Sequence, residues 1–233
     1  GDALFVVSPS YVDNQGLVVY DVSTPANPIF KTAFPIQGAV DVKVDDGYAY
    51  IVSPTEGLRI IEVSDSLALT EVGSYDESFN DYESVTIQGD MAYLNNEDEG
   101  LKILDISDKT DPELLATVPM PTNSKHSQIQ GDYAFSAGDT TGFHVANISD
   151  LSLAPVEFPN TVFSTPGNPW HIFVSDNLVV IADTGAGVTI LDVTDPMSPI
   201  QLENIFLDPA TYPTSNLSFY NVVTSEYIYS LSN

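Results

Sequence analysis

Two of the three histidines, His126 and His171, lie 45 residues apart, and each follows a residue with chemistry of its own, Lys125 and Trp170. Asp41 and Ser84 stand at the same place in earlier copies of the same text, preceded by Val40 and Glu83; Phe219-Tyr220 is a later copy. Imidazoles ligate transition metals and carry protons near neutral pH. Asp41 and Glu83 would serve such a centre as carboxylate partners, and Trp170 would offer a ligand a flat stacking face. Two imidazoles do not define a metal site. The competing reading is polar side chains lining a wet space, bonded to backbone or water. His144 sits at a variable strand position and reads as an ordinary strand residue.

What would bring these residues together is a repeat. Gly57-Leu58-Arg59-Ile60-Ile61-Glu62-Val63-Ser64 recurs with opening glycines at 16, 57, 100, 142 and 187, spaced 41, 43, 42 and 45 residues apart. Strand-like text with a period in the low forties marks a β-propeller rather than a helical solenoid. A second landmark, Asp45-Asp46-Gly47 and its copies at Gln88-Gly89-Asp90, Gln130-Gly131-Asp132 and Asp176-Asn177, sits between alternating apolar runs, as hairpin turns do. One repeat therefore reads as four strands, in the second copy Val40 to Val44, Tyr48 to Ser53, Leu58 to Val63 and Leu69 to Tyr75. The third strand is apolar at adjacent positions (Ile60 and Ile61, Ile103 and Leu104, Ile190 and Leu191), which predicts cover on both faces.

Asp21, Glu62, Asp105, Asn147 and Asp192 end the third strands, each two residues before Ser or Thr. Short acceptors there are expected to bond the backbone N–H two residues on and fix the turn into strand four. The expectation is an all-β propeller of four-stranded antiparallel blades, with about six blade positions (five to seven) and incomplete repeats at both ends. The whole of 1–233 reads as one array, with repeats near 1–37, 38–80, 81–123, 124–167 and 168–216 and a partial copy at 217–233. Gly1 falls inside a repeat, which predicts an excerpt of a longer chain.

Leu101-Lys102-Ile103-Leu104-Asp105-Ile106-Ser107-Asp108 and Val188-Thr189-Ile190-Leu191-Asp192-Val193-Thr194-Asp195-Pro196 resemble the LVIVD repeat of bacterial and archaeal cell-surface proteins. The fourth copy, with Phe143, His144 and Asn147, departs most. The resemblance implies a propeller in a secreted or surface-anchored protein and implies no settled activity.

Thirty-three acidic residues stand against six basic ones, a net charge of −27. Such a surface repels phosphodiester backbones and anionic lipids, which excludes nucleic-acid binding and anionic membrane docking. It suits a medium rich in salt or divalent cations. The absence of cysteine excludes disulfides and thiolate chemistry, and no nucleophile, phosphate-loop or zinc-protease motif occurs. The loops at 95–99 and 76–83 are rich in oxygen ligands that would suit Ca²⁺, without matching a known calcium loop. Of two glycosylation sequons, Asn216-Leu217-Ser218 is the better acceptor, since Asn147 has a turn to cap.

Two functional readings follow. The first is a non-enzymatic extracellular or cell-surface propeller, a structural or adhesive module whose partner is a protein, a surface glycan, other modules or copies of itself. A surface-layer or filament subunit stiffened by Ca²⁺ is one form of it. The second is a metal- or small-ligand-binding propeller, enzymatic or not, that uses the ring of His126, His171, Asp41, Glu83 and Trp170.

Overall fold

The computed structural model describes residues 2–8, 16–77, 81–120, 124–152 and 160–206, and the backbone of strands at 219–223 and 228–232. It is a β-propeller in which each sheet is a sequence-local antiparallel blade. The first sheet has three strands, β1 (Ala3–Val7), β2 (Leu17–Asp21) and β3 (Ile29–Phe34). Four sheets of four strands follow. These are β4 to β7 (Asp41–Asp45, Tyr48–Ser53, Gly57–Val63, Leu69–Tyr75) and β8 to β11 (Tyr82–Gln88, Met91–Asn96, Gly100–Asp105, Glu113–Val118). Next come β12 to β15 (His126–Gln130, Tyr133–Ala137, Phe143–Asn147, Asn160–Phe163) and β16 to β19 (Asn168–Ser175, Leu178–Thr184, Gly187–Asp192, Ile200–Ile205). Among the described residues the sixth sheet is a pair, β20 (Phe219–Val223) and β21 (Ile228–Ser232). The predicted strands of the second copy match within one residue at either end.

Packing divides the chain into two compact units, Gly1–Asn96 with Ile103–Leu115, and Glu97–Lys102 with Ala116–Asn233. In the first unit the adjacent Ile60 and Ile61 face opposite ways. Ile60 enters a core with Tyr82, Val85 and Leu104 of the third sheet, whereas Ile61 enters one with Leu17 and Val19 of the first. Both are fully buried, the double cover that the unbroken apolar run predicts. Removing either side chain beyond Cβ would cost about 2–5 kcal/mol. The second unit has its own core, in which Phe135, Phe143 and Val145 of the fourth sheet meet Ile172, Ile181 and Leu191 of the fifth.

The turn logic holds in detail. The carboxylates of Asp21, Asp105 and Asp192 and the amide oxygen of Asn147 accept hydrogen bonds of 2.7–2.9 Å from the backbone N–H of Ser23, Ser107, Thr194 and Ser149. Glu62 is the exception. Its copy of the turn is closed by Ser64 Oγ, which accepts from Ala68 N at 3.0 Å, and Leu67 takes a positive φ of 61°. In five sheets the residue after the cap also donates its N–H to the opposite hairpin turn at 2.7–2.8 Å, as Val63 does to Gly47 O. The turn that Val63 bonds bends through Asp46 and Gly47, both at positive φ, the conformation that Gly and Asp tolerate.

Candidate functional site

Register puts the candidates in one column. Asp41 faces Val52, Ser84 faces Asn95, His126 faces Ala137, His171 faces Ala182 and Tyr220 faces Leu231. Each begins or nearly begins the first strand of its blade.

In the first unit, Asp41 stitches two blades. Its Oδ2 accepts a 3.0 Å bond from Val85 N in β8, and its Oδ1 accepts from its neighbour Val42 N at 2.8 Å. Both oxygens are therefore held by backbone donors, which suits a structural carboxylate better than a metal ligand. Glu83 is the extra residue of a β-bulge between Tyr82 and Ser84. Asn95, opposite Ser84, is buried, and its Nδ2 has no hydrogen-bond partner among the described residues.

In the second unit His126 and His171 come together. Their rings stack with centroids 4.0 Å apart and planes 26° from parallel. Stacked rings hold their in-plane lone pairs in separate, near-parallel planes, so a shared metal would require one ring to turn. Trp170 is the extra residue of a bulge between Pro169 and His171, the same column as Glu83. Bulges re-aim side chains and are enriched beside functional sites. Lys125 Nζ lies 5.5 Å from the Trp170 ring centroid and 3.2 Å from Glu97 Oε1. Gln128 Oε1 accepts from Val174 N, and Gln130 Nε2 donates to Asp176 O at 2.6 Å, so this seam is bonded along its length. The structure thus brings His126, His171, Lys125 and Trp170 into one cluster. Among the described residues no three His, Asp or Glu side chains gather closely enough to hold a metal ion.

The acidic loops are engaged by other groups. Asn95 and Asn96 belong to β9 and are buried, while Glu97 pairs with Lys125 and Glu99 with Lys102 at 2.6 Å. Glu77 accepts from the Tyr75 hydroxyl, and residues 78–80 lie outside the described residues. Asn216 also lies outside them.

A buried acid escaped the sequence reading. Asp183, at the end of β17, is wholly inaccessible. Its Oδ2 accepts from Thr189 Oγ1 at 2.9 Å and Gly167 N at 3.1 Å, and its Oδ1 accepts from Thr165 Oγ1 at 3.1 Å. Burial raises its pKa above the ordinary carboxylate value, against these three donors. The same column holds Ser53, whose hydroxyl donates to Gln37 O and accepts from Thr55 N and Glu56 N. A polar residue directly after a buried apolar run was the available signal. His144 is likewise buried, with Nε2 donating to Thr141 O at 3.1 Å, and loss of hydration lowers its pKa to about 4. It locks the short 3₁₀ turn Asp139–Thr141. Arg59 and Lys102, in the same column, pair with Glu56 and Glu99 three residues upstream.

A succession of sequence-local antiparallel blades, uniform in their cores and varied in their first strands, defines a repeat β-propeller. The sequence model of the LVIVD repeat matches residues 10–34, 38–77, 81–119 and 166–205, the first, second, third and fifth copies. The chain belongs to the LVIVD repeat family. Two computationally designed proteins of known crystal structure share the fold. The Ika8 protein superposes with a TM-score of 0.70 at 12% identity, covering 100% of this chain and 65% of that one. The Ika4 protein gives 0.51 at 10% identity, covering 66% of this chain and 91% of that one. The chain thus spans about two thirds of the length of Ika8. No curated protein matches it in sequence.

Proposed function

We propose that this chain is a non-enzymatic interaction module of an extracellular or cell-surface protein, structural or adhesive in role. The observation that supports this reading is the outer strands. Ile29 and Phe30 in β3, Leu114 and Leu115 in β11, Val162 in β15, and Ile200, Leu202 and Ile205 in β19 with Phe206 beyond it are all exposed. Third strands, by contrast, are buried. Exposed apolar side chains on the fourth strand of a blade, within a surface of net charge −27, suit a protein partner with apolar and basic groups. A surface glycan is the other partner this reading admits, and nucleic acid and anionic lipid are disfavoured by charge.

The test is retention of the purified chain on isolated cell envelopes of its source organism. The wild type should be retained, and a triple variant I200S/L202S/F206S should be released. Equal retention of both would end the reading. A second reading, a small-ligand site at His126, His171 and Trp170, is supported by the paired bulges at Glu83 and Trp170. It predicts a bound solute lost in His171→Ala while envelope binding persists.

A further inference from the structure

We propose that a cavity between the first and second sheets, within the first unit, binds an organic ammonium carrying an aromatic or aliphatic body. The cavity is about 540 Å³, lined by the apolar Ala3, Phe5, Val63 and Leu67 and by the acidic Asp2, Asp21 and Asp65. That volume is in the range of small-molecule sites, and an apolar lining beside acceptor-only groups selects a cation with an apolar body.

The chain itself shows what fits such a notch. One blade further on, still within the first unit, the equivalent space is filled by Tyr48 and Lys109. The Lys109 ammonium lies 6.0 Å from the Tyr48 ring centroid, donates to Ile106 O at 2.6 Å and stands 3.8 Å from Asp90. Register makes the two notches comparable. Tyr48 faces Glu62 as Ala3 faces Asp21, and Lys109 follows Ser107 by two residues as Ser66 follows Ser64. At the first notch the residues in these two sequence positions are Ala3 and Ser66, both small, so the chain supplies neither a ring nor an ammonium there; Ala3 and Leu67 line the cavity. The charge around it is partly spent: Lys31 Nζ is held on Asp21 Oδ2 at 2.9 Å and Ser23 N donates to Asp21 Oδ1, while Asp2 and Asp65 are exposed. In the second unit Tyr133, the counterpart of Tyr48, and Met197 pack against the core shared by the fourth and fifth sheets.

An ammonium on an apolar body reaches a protein from two sources, a free arylalkylamine or a lysine beside an aromatic residue on a partner. The site shares no lining residue with the outer-strand residues that support the interaction reading and stands without it. The test is amide NMR of the full chain titrated with phenethylammonium, with the uncharged 2-phenylethanol, and with the dipeptide N-acetyl-Lys-Tyr-amide. Saturable shifts confined to residues 3–5, 44–47 and 63–67 are expected. Binding should weaken at least tenfold for 2-phenylethanol and for D65N, and vanish in A3Y/S66K, which restores the pair seen next door. If the double variant does not fold, S66K alone serves. Tighter binding of the dipeptide would assign the site to a partner's lysine, and tighter binding of the amine to a free ligand. Unsaturable shifts spread over the acidic surface, equal affinity for the alcohol, or binding retained in the filled variant would overturn the proposal.

Discussion

The Asp183 carboxylate accepts a 2.9 Å hydrogen bond from the hydroxyl of Thr189 across the β17–β18 hairpin. Asn204 Nδ2 donates to the same hydroxyl oxygen at 2.8 Å, which carries the network on into β19. Three strands of one blade are tied through a single buried acid. Its folded pKa is raised by burial, so the folded state holds a proton that the unfolded state releases near pH 4. That contribution to stability is full below the unfolded pKa and is lost as pH rises through the folded one. Asp183→Asn should therefore remove a downward slope of stability with pH above about 4. Asp183→Ala, which strands the Gly167 N–H and the Thr189 hydroxyl proton, should cost about 3 kcal/mol or more. Urea melts of the three proteins at pH 4 to 8 would check both, and a slope that persists in Asp183→Asn would remove the assignment.

His144 predicts the opposite dependence. Its pKa is lowered to about 4, so its contribution is full above the unfolded value of about 6.5 and is lost as pH falls towards 4. His144→Gln can keep a donor to Thr141 O without a charge to desolvate. As pH falls through that window the wild type should lose up to one proton's worth of linkage more than the variant, the slopes of all other groups being common to both. Parallel melts of wild type and variant at pH 7 and pH 4.5 would reveal it, and equal losses in the two would show that other groups govern the acid limb.

These two groups also mark where the sequence stops being legible. The repeat was readable because its cause is local. Alternation sets the strands, a cap two residues before Ser or Thr sets the turn, and adjacent apolar pairs such as Ile60 and Ile61 announce cover on both faces. The column of first-strand residues was also readable, since register carries sequence alignment directly into space. What was hidden lies between columns. Nothing in the text says that Asp183 faces Thr165 and Gly167, that Asp41 reaches Val85 N, or that Glu97 and Glu99 are taken by lysines. Whether an acid meets water, a lysine or a backbone amide depends on how neighbouring blades pack, and a repeat motif leaves those side chains free to vary.

The glycine that opens each third strand separates two kinds of need. Gly100 has a φ of +99°, and an added Cβ would lie 2.4 Å from Val118 O and 2.6 Å from Met120 N. Gly89 has a φ of +59° in a hairpin turn, with open space where a Cβ would go. Gly89→Ala should thus pay only the backbone strain, about 1 kcal/mol. Gly100→Ala must also push the chain after β11 away and should cost at least about 3 kcal/mol. A chemical-denaturation comparison of the two variants decides it, and equal losses would mean that conformation alone conserves the repeat's opening position in this fold.

Net charge predicts how salt acts. At −27 the compact chain repels itself, and raising monovalent salt from about 0.01 to 1 M shortens the screening length from about 30 Å to 3 Å. The melting temperature should rise with NaCl. Divalent ions should do so at lower concentration, because a doubly charged ion is drawn more strongly to acidic surface such as the turn of Asp105, Asp108 and Asp111. The caps themselves are occupied, Asp105 by Ser107 N–H and Asp108 by Thr110 N–H, and these bonds hold both acids below the usual carboxylate range. Screening alone makes Ca²⁺ and Mg²⁺ equivalent at equal ionic strength, whereas a built site prefers Ca²⁺, whose larger shell accepts irregular oxygen ligands. Melts in each chloride, before and after EDTA, separate the two. Equal shifts fit screening, and a rise specific to Ca²⁺ would make calcium part of the folded surface and favour the stiffened surface-subunit form of the proposed function.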